Sequence, residues 1–66
     1  MNVAVNGAER EIPEGMTVAD LVAEIGLSER NVVAELNGEP VERSRFAETV
    51  LASGDVLEIV RAVPGG

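Results

Sequence analysis

Cysteine, histidine and lysine are all absent from this sequence, and Phe46 is its one aromatic residue. Without cysteine there is no disulfide, no thiolate nucleophile and no sulfur ligand for a metal. Without histidine, zinc loses its other usual ligand and general-base catalysis its commonest residue. No redox compartment can be read from cysteine usage either. The charge is almost all of one sign: 12 acidic side chains stand against 5 arginines, a net charge of -7. A phosphate backbone repels such a chain, and one aromatic gives bases nothing to stack on, so nucleic acid is excluded as a partner. No apolar run is long enough to span a bilayer and no basic-then-apolar segment opens the chain, which removes the membrane and leaves the cytoplasm as the expected location.

What remains is a chain of 66 residues, 45% hydrophobic and 26% charged. That composition folds, and the length is read as a single domain over 1–66. A domain of this size buries only about 60% of the surface its unfolded chain exposes. Its core is thin and leaves little room for a deep catalytic pocket. The acidity serves solubility or matches a basic partner surface.

Asn2-Val3-Ala4-Val5 alternates polar and apolar as a strand does. Asn6-Gly7 follows, the signature of a type I′ hairpin turn, in which both central residues take positive φ. Glu9 to Ile12 is the returning strand, with Ile12 as its inward anchor, and Pro13-Glu14-Gly15 ends it. Thr17 is placed as a helix N-cap, and Asp20 adds negative charge at the positive end of the helix dipole. Val18, Leu21, Val22 and Ile25 form one apolar stripe at helical spacing, with Ala19, Asp20, Ala23 and Glu24 on the other side. Gly26 is placed to end the helix in a left-handed conformation. Val32 to Leu36 reads as a third strand and Asn37-Gly38 as a second turn, from which Pro40 and Val41 leave along a sheet edge. Ser44 to Glu48 makes one short helical turn with Phe46 directed at the core. After the tight turn Ser53-Gly54-Asp55, Val56 to Val63 is the last strand, apolar on both faces at several positions, as central strands are. A hairpin, a helix of two to three turns, then two more strands around a turn make a two-layer α+β domain. The expected fold is the β-grasp, or ubiquitin-like, kind, a mixed sheet of four to five strands with the one main helix on one face.

The last strand runs into Arg61-Ala62-Val63-Pro64-Gly65-Gly66. Pro64 fixes its own φ and biases Val63 toward extended backbone, and two glycines add nothing beyond backbone width. The segment 63–66 is therefore expected to be a mobile, narrow ribbon able to thread into a confined site of another protein. A terminal carboxyl, with a reference pKa of about 3.3–3.7, is ionised at neutral pH and a poor electrophile. Joined to AMP as a mixed anhydride, its carbonyl carbon becomes attackable by a sulfur nucleophile. The chain has no phosphate-binding glycine loop of its own, so a partner must supply the adenylation.

Val32 to Glu39, Val41-Glu42-Arg43, Leu51 with Gly54-Asp55, Glu58 to Val63 and Gly65-Gly66 together resemble the ThiS family, the sulfur carrier proteins of thiamine biosynthesis. The resemblance covers essentially the whole chain, least distinctively in the first hairpin. Pro64 departs from it, standing where a small residue is expected. The resemblance implies a protein that is not an enzyme but a co-substrate of enzymes. A ThiF-like enzyme would use ATP and Mg to adenylate Gly66. A sulfur relay beginning at a cysteine desulfurase would convert it to a thiocarboxylate, and thiazole synthase, the ThiG-like partner, would take the sulfur. Gly66 would be the covalently modified residue, with Gly65 and Pro64 threading into the partner. No metal and no bound cofactor are expected.

Side chains elsewhere read more plainly. Arg43 and Arg45 are solvated surface or steer a partner, Asp55 forms its turn, and Glu35 and Glu58 belong to an exposed polar face. If Leu57 and Ile59 face the helix, Val56, Glu58 and Val60 face outward, and Val33 joins them as a candidate partner-binding patch. Three alternatives stay open: a molybdopterin-synthase small-subunit-like carrier, a carrier for another sulfur metabolite, and a β-grasp interaction module that carries nothing.

Overall fold

Both Asn-Gly turns form as their chemistry requires. Asn6 and Gly7 have φ of 51° and 83°, Asn37 and Gly38 of 52° and 85°. In the computed structural model, which describes residues 1–61, the first joins β1 (Asn2–Val5) to β2 (Ala8–Glu11), and the second joins β3 (Val32–Leu36) to β4 (Glu39–Val41). β5 (Val56–Arg61) enters between the two hairpins, giving a five-stranded sheet in the order β2-β1-β5-β3-β4. β5 runs parallel to β1, with Val5 opposite Leu57, and antiparallel to β3, with Ala34 opposite Ile59. The last strand is central, as its two apolar faces predict. Pro40, which has no N–H to give a further neighbour, sits on the edge strand β4.

The helix α1 (Val18–Glu24) packs on one face of this sheet. Its start is held by a reciprocal pair: Asp20 N–H donates to Thr17 Oγ1 at 3.1 Å, and Thr17 N–H donates to Asp20 Oδ2 at 3.0 Å. Asp20 thus does more than complement the dipole; it closes a capping box in the place where glutamate or glutamine is usual. At the other end, Gly26, at φ 84°, donates to the Ala23 carbonyl and Leu27 to the Val22 carbonyl. These two bonds make a Schellman motif, and half-buried Leu27 packs onto the core beside it. Ile25 consequently serves as the C-cap and not as a fourth turn residue. Ala19, placed on the outer side by the helical stripe, is instead half-buried against the core.

Val18, Leu21 and Val22 from α1 meet Val3, Val32, Ala34, Leu57 and Ile59 from the sheet and Ile12, which lies one residue past the end of β2 and not within the returning strand as expected, and Phe46 and Leu51 close the layer. Phe46 is carried by a 3-10 helix, Arg43–Glu48, that starts one residue before the expected turn. A second 3-10 turn, Glu29–Asn31, lies where no element was expected and leads into β3. Thr17 and Val50 form a single bridge, through which the segment before β5 is tied to the start of the helix. Among the described residues no charged or polar side chain is buried, so stability rests on one thin apolar layer.

Leu21 is fully buried at the centre of that layer. Leu21→Ala is expected to lower unfolding free energy by about 2–5 kcal/mol in urea titrations. Thr17→Ala, which removes only the cap, is expected to lower it by about 1 kcal/mol.

Candidate functional site: the uncovered sheet face and the end of β5

A helix of this length covers one side of the sheet and leaves the other bare. Strand alternation decides what the bare side presents. Leu57 and Ile59 turn toward α1 and are buried; Val56 and Val60 point the other way and are 45% and 61% exposed. Val33 stands directly across from Val60 and is 55% exposed. Ala4 lies opposite Val56 on the same side. Val33, Val56, Glu58 and Val60 therefore share one face, as the alternation of β5 predicts, and the three valines are far too open to belong to the core.

The rim of this face is acidic. Glu35 and Glu58 are opposite one another across the β3–β5 ladder, two like charges at paired positions. On the far side Glu9 pairs with Ala4 and Glu11 with Asn2, so both carboxylates lie on the same face. None of the described strand residues on this side is basic. Arg10 is on the opposite side, where it contacts Glu24 of α1 at 3.2 Å. The sequence reading found the valines and set Glu35 and Glu58 on one exposed polar face, but missed Glu9 and Glu11 as parts of the same surface. The signal was available only through register, since it is cross-strand pairing that sets these carboxylates around the valines.

The remaining candidates behave as surface and turn residues. Arg45 pairs with Glu48 at 3.1 Å in solvent, and Arg43 is exposed beside it. Asp55 holds its turn by accepting from the Ala52 N–H at 2.7 Å and from Asn37 Nδ2 at 3.0 Å. The concavities along β4, one lined by Pro40, Val41, Glu42, Arg45 and Thr49, are open grooves without a buried polar group. Among the described residues no cluster of acidic side chains has the composition of a metal site. No helix among them is long and apolar enough to cross a membrane. Ala62 and the tail 63–66, with Pro64, Gly65 and Gly66, lie outside the described residues, directly after the exposed end of β5 at Arg61.

With this geometry in hand, comparison with known proteins is specific. The model of the ThiS family matches residues 3–66. The chain belongs to the ThiS family. It is 40% identical over 50 residues to the sulfur carrier protein ThiS of Bacillus subtilis, an alignment covering 76% of each chain. It is 41% identical over 66 residues to a thiazole synthase of Paramagnetospirillum magneticum, where it spans all of this chain but only 20% of that protein. The crystal structure of the thiamine biosynthesis protein ThiS from Geobacter metallireducens superposes with a TM-score of 0.84 at 33% identity, each chain covered completely. The solution structure of the thiamine biosynthesis protein from the same organism gives 0.81, with 88% of that chain covered. The β-grasp fold expected from the order of elements is the fold of this family.

The facing carboxylates make a prediction about stability alone. Glu35→Arg replaces a repulsion across the ladder by an attraction and is expected to raise unfolding free energy by a few tenths of a kcal/mol. The gain should shrink in thermal melts as salt is raised.

Proposed function

We propose that this chain carries sulfur for the thiazole moiety of thiamine, and that Gly66 is the atom-carrying residue. The observation that supports this most directly is that the match to the ThiS family runs through residue 66 and so takes in Gly65-Gly66. The chemistry follows from the residues. The carboxylate of Gly66 attacks the α-phosphorus of ATP in the site of a ThiF-like partner, forming an acyl-adenylate and releasing pyrophosphate. Magnesium and the nucleotide belong to that partner. The outer sulfur of a persulfide supplied by a desulfurase relay then displaces AMP to give an acyl disulfide, a second thiol of the relay cleaves the S–S bond and is oxidised to a disulfide, and the thiocarboxylate so released hands its sulfur to thiazole synthase. The chain itself acts as a co-substrate and not as an enzyme: it has no cysteine, histidine or lysine with which to carry a covalent intermediate elsewhere.

The thiazole synthase of Paramagnetospirillum magneticum supports that final partner, because a segment similar to the whole of this chain lies within it. Val33, Val56 and Val60, with Glu58 and the surrounding carboxylates, serve as the docking face. A partner suited to it has an apolar centre and a basic rim. Pro64 and Gly65 carry Gly66 into a site too narrow for side chains.

The experiment is pyrophosphate release with a ThiF-like enzyme and Mg-ATP. Deleting Gly66 withdraws the carboxylate by about 3.3–3.6 Å. That is as large as the roughly 3–3.5 Å approach that reacting atoms need, so turnover is expected to fall by about a hundredfold or more. A residue appended after Gly66 converts the carboxylate to an amide and should abolish turnover. Equal rates for all three chains would remove the carrier reading. In the same assay Val60→Asp, at a solvent-exposed position, is expected to raise Kd for the adenylating enzyme by about tenfold while the melting curve stays close to wild type; unchanged affinity would place the docking face elsewhere.

A further inference from the structure

Of the two edges of the sheet, one is shut and one is open. On β4, Glu39 pairs with Leu36 across the turn and Val41 pairs with Ala34. Antiparallel pairing alternates, so the residue between them, Pro40, turns its backbone outward. It has no N–H to give there, and a further strand would find a carbonyl alone. On β2 the residues that bond to β1 are Ala8, Arg10 and, just past the strand, Ile12. Ile12 N–H donates to the Met1 carbonyl and the Met1 nitrogen to the Ile12 carbonyl, both at 2.8 Å. Glu9 and Glu11, which lie between, therefore turn N–H and C=O away from the sheet. These backbone groups meet no partner among the described residues. The inner strand β1, by contrast, is taken up on both flanks. Asn6 N–H donates to the Leu57 carbonyl at 2.9 Å, and the Asn6 carboxamide accepts from Ile59 N–H at 2.7 Å and donates to the Ile59 carbonyl at 3.0 Å.

The open edge also carries a charge pattern. Glu9 and Glu11 lie on the face of Val33, Val56 and Val60, and Asn2 Nδ2 holds Glu9 Oε1 there at 3.1 Å. Arg10 lies on the other face, 3.2 Å from Glu24 of α1. A second copy of the chain does not suit this edge. Two β2 strands joined in a register that uses the outward groups of both Glu9 and Glu11 set glutamate against glutamate on one face and arginine against arginine on the other. A strand with basic side chains at alternate positions meets each glutamate with an opposite charge on the same face.

We propose that the free edge of β2 is a docking site for an extended segment of a partner protein, added antiparallel to β2, with arginine or lysine opposite Glu9 and Glu11. The inference stands on the edge and its charges, apart from the carrier reading. Antiparallel addition suits so short an edge. Glu9 and Glu11 each exchange both bonds with the residue directly opposite, so a stretch of partner no longer than Glu9–Glu11 is enough. The slanted bonds of a parallel ladder need a longer stretch, and Pro13, without an N–H, stands just beyond the edge. Backbone bonds supply the affinity, and the paired charges choose the partner and set its register. The partner residue between the two basic ones falls beside Arg10 and Glu24 on the helix side, where an uncharged β-branched side chain fits. The added strand widens the face that carries the valines, so a partner seated on that face reaches the edge without a break.

The probe is a short capped peptide that alternates valine and arginine, with two arginines. The full chain is titrated with it and followed by amide chemical shifts and hydrogen exchange. Shifts are expected along β2 and not along β4, and exchange at Glu9 and Glu11 should slow about tenfold at saturation. N-methylation of both arginines leaves every charge in place but blocks the rungs, and is expected to weaken binding by about tenfold or more. N-methylation of the valine between them, whose N–H points away from β2, should change Kd by less than about threefold. A peptide with glutamate in place of both arginines should not bind. Glu11→Pro gives β2 what Pro40 gives β4 and is expected to weaken binding about tenfold, whereas Glu11→Gln, which keeps the N–H, costs about threefold. Equal affinity for the parent peptide and the one methylated at its arginines would reduce the contact to a diffuse attraction between charges and overturn the proposal. No binding at about millimolar peptide would overturn it too, as would shifts confined to Val33, Val56 and Val60 or to β4. Concentration-dependent shifts at β2 without peptide would show the edge pairing with a second copy, and would overturn the charge rule. The peptide comparisons use the wild-type chain, so they decide the matter whether or not Glu11→Pro folds.

Discussion

Between Val56 and Arg61 the chain makes two ladders in opposite senses, parallel to β1 on one flank and antiparallel to β3 on the other. The two hairpins touch the rest of the sheet only through this strand. Its alternation then sorts the domain into a covered and an uncovered half. Leu57 and Ile59 anchor the apolar layer under α1, while Val56, Glu58 and Val60 are turned to solvent because one short helix has nothing left with which to cover them. Core and exposed valine face are thus the two sides of six residues, and moving the register of β5 by one place would exchange them.

The core holds no polar side chain among the described residues, so no buried group is poised to donate or accept a proton. The surface combines exposed valines with carboxylates at Glu9, Glu11, Glu35 and Glu58, and the facing pair Glu35 and Glu58 is relieved when a cation is brought between them. Two copies of the domain cannot supply that cation to each other through this face, since both present the same sign, and self-association there is disfavoured.

Much of this was legible because it rests on local rules. Asn-Gly demands positive φ, the stripe at Val18, Leu21 and Val22 demands a helix, and Phe46, as the one aromatic, belongs in the core of so small a domain. The family resemblance was carried by residues spread along the chain, and the match over 3–66 bears it out. What was not legible depends on pairs distant in sequence or on side chains answering backbone. The parallel partner of β5, the capping role of Asp20 toward Thr17, the turn at Glu29–Asn31 and the joining of Glu9 and Glu11 to the face of Glu35 and Glu58 are of this kind. Ala19 is small enough to sit on either side of a helix, and its pattern alone could not say that the core closes over it. The ribbon expected over 63–66 lies outside the described residues.

The contact of Asn6 with Ile59 spans 53 positions of sequence. β1 and β5 are the first and last strands of the described chain, and neither hairpin is an independently stable sheet. During synthesis, therefore, the sheet cannot close until Arg61 has been made. Contacts of such separation also make folding slow and all-or-none in character. A nascent chain cut short at the start of β5 lacks Leu57 and Ile59, the two core residues that this strand contributes between the hairpins. Folding thus waits on synthesis, because only a chain that extends through β5 can join the two hairpins into one sheet.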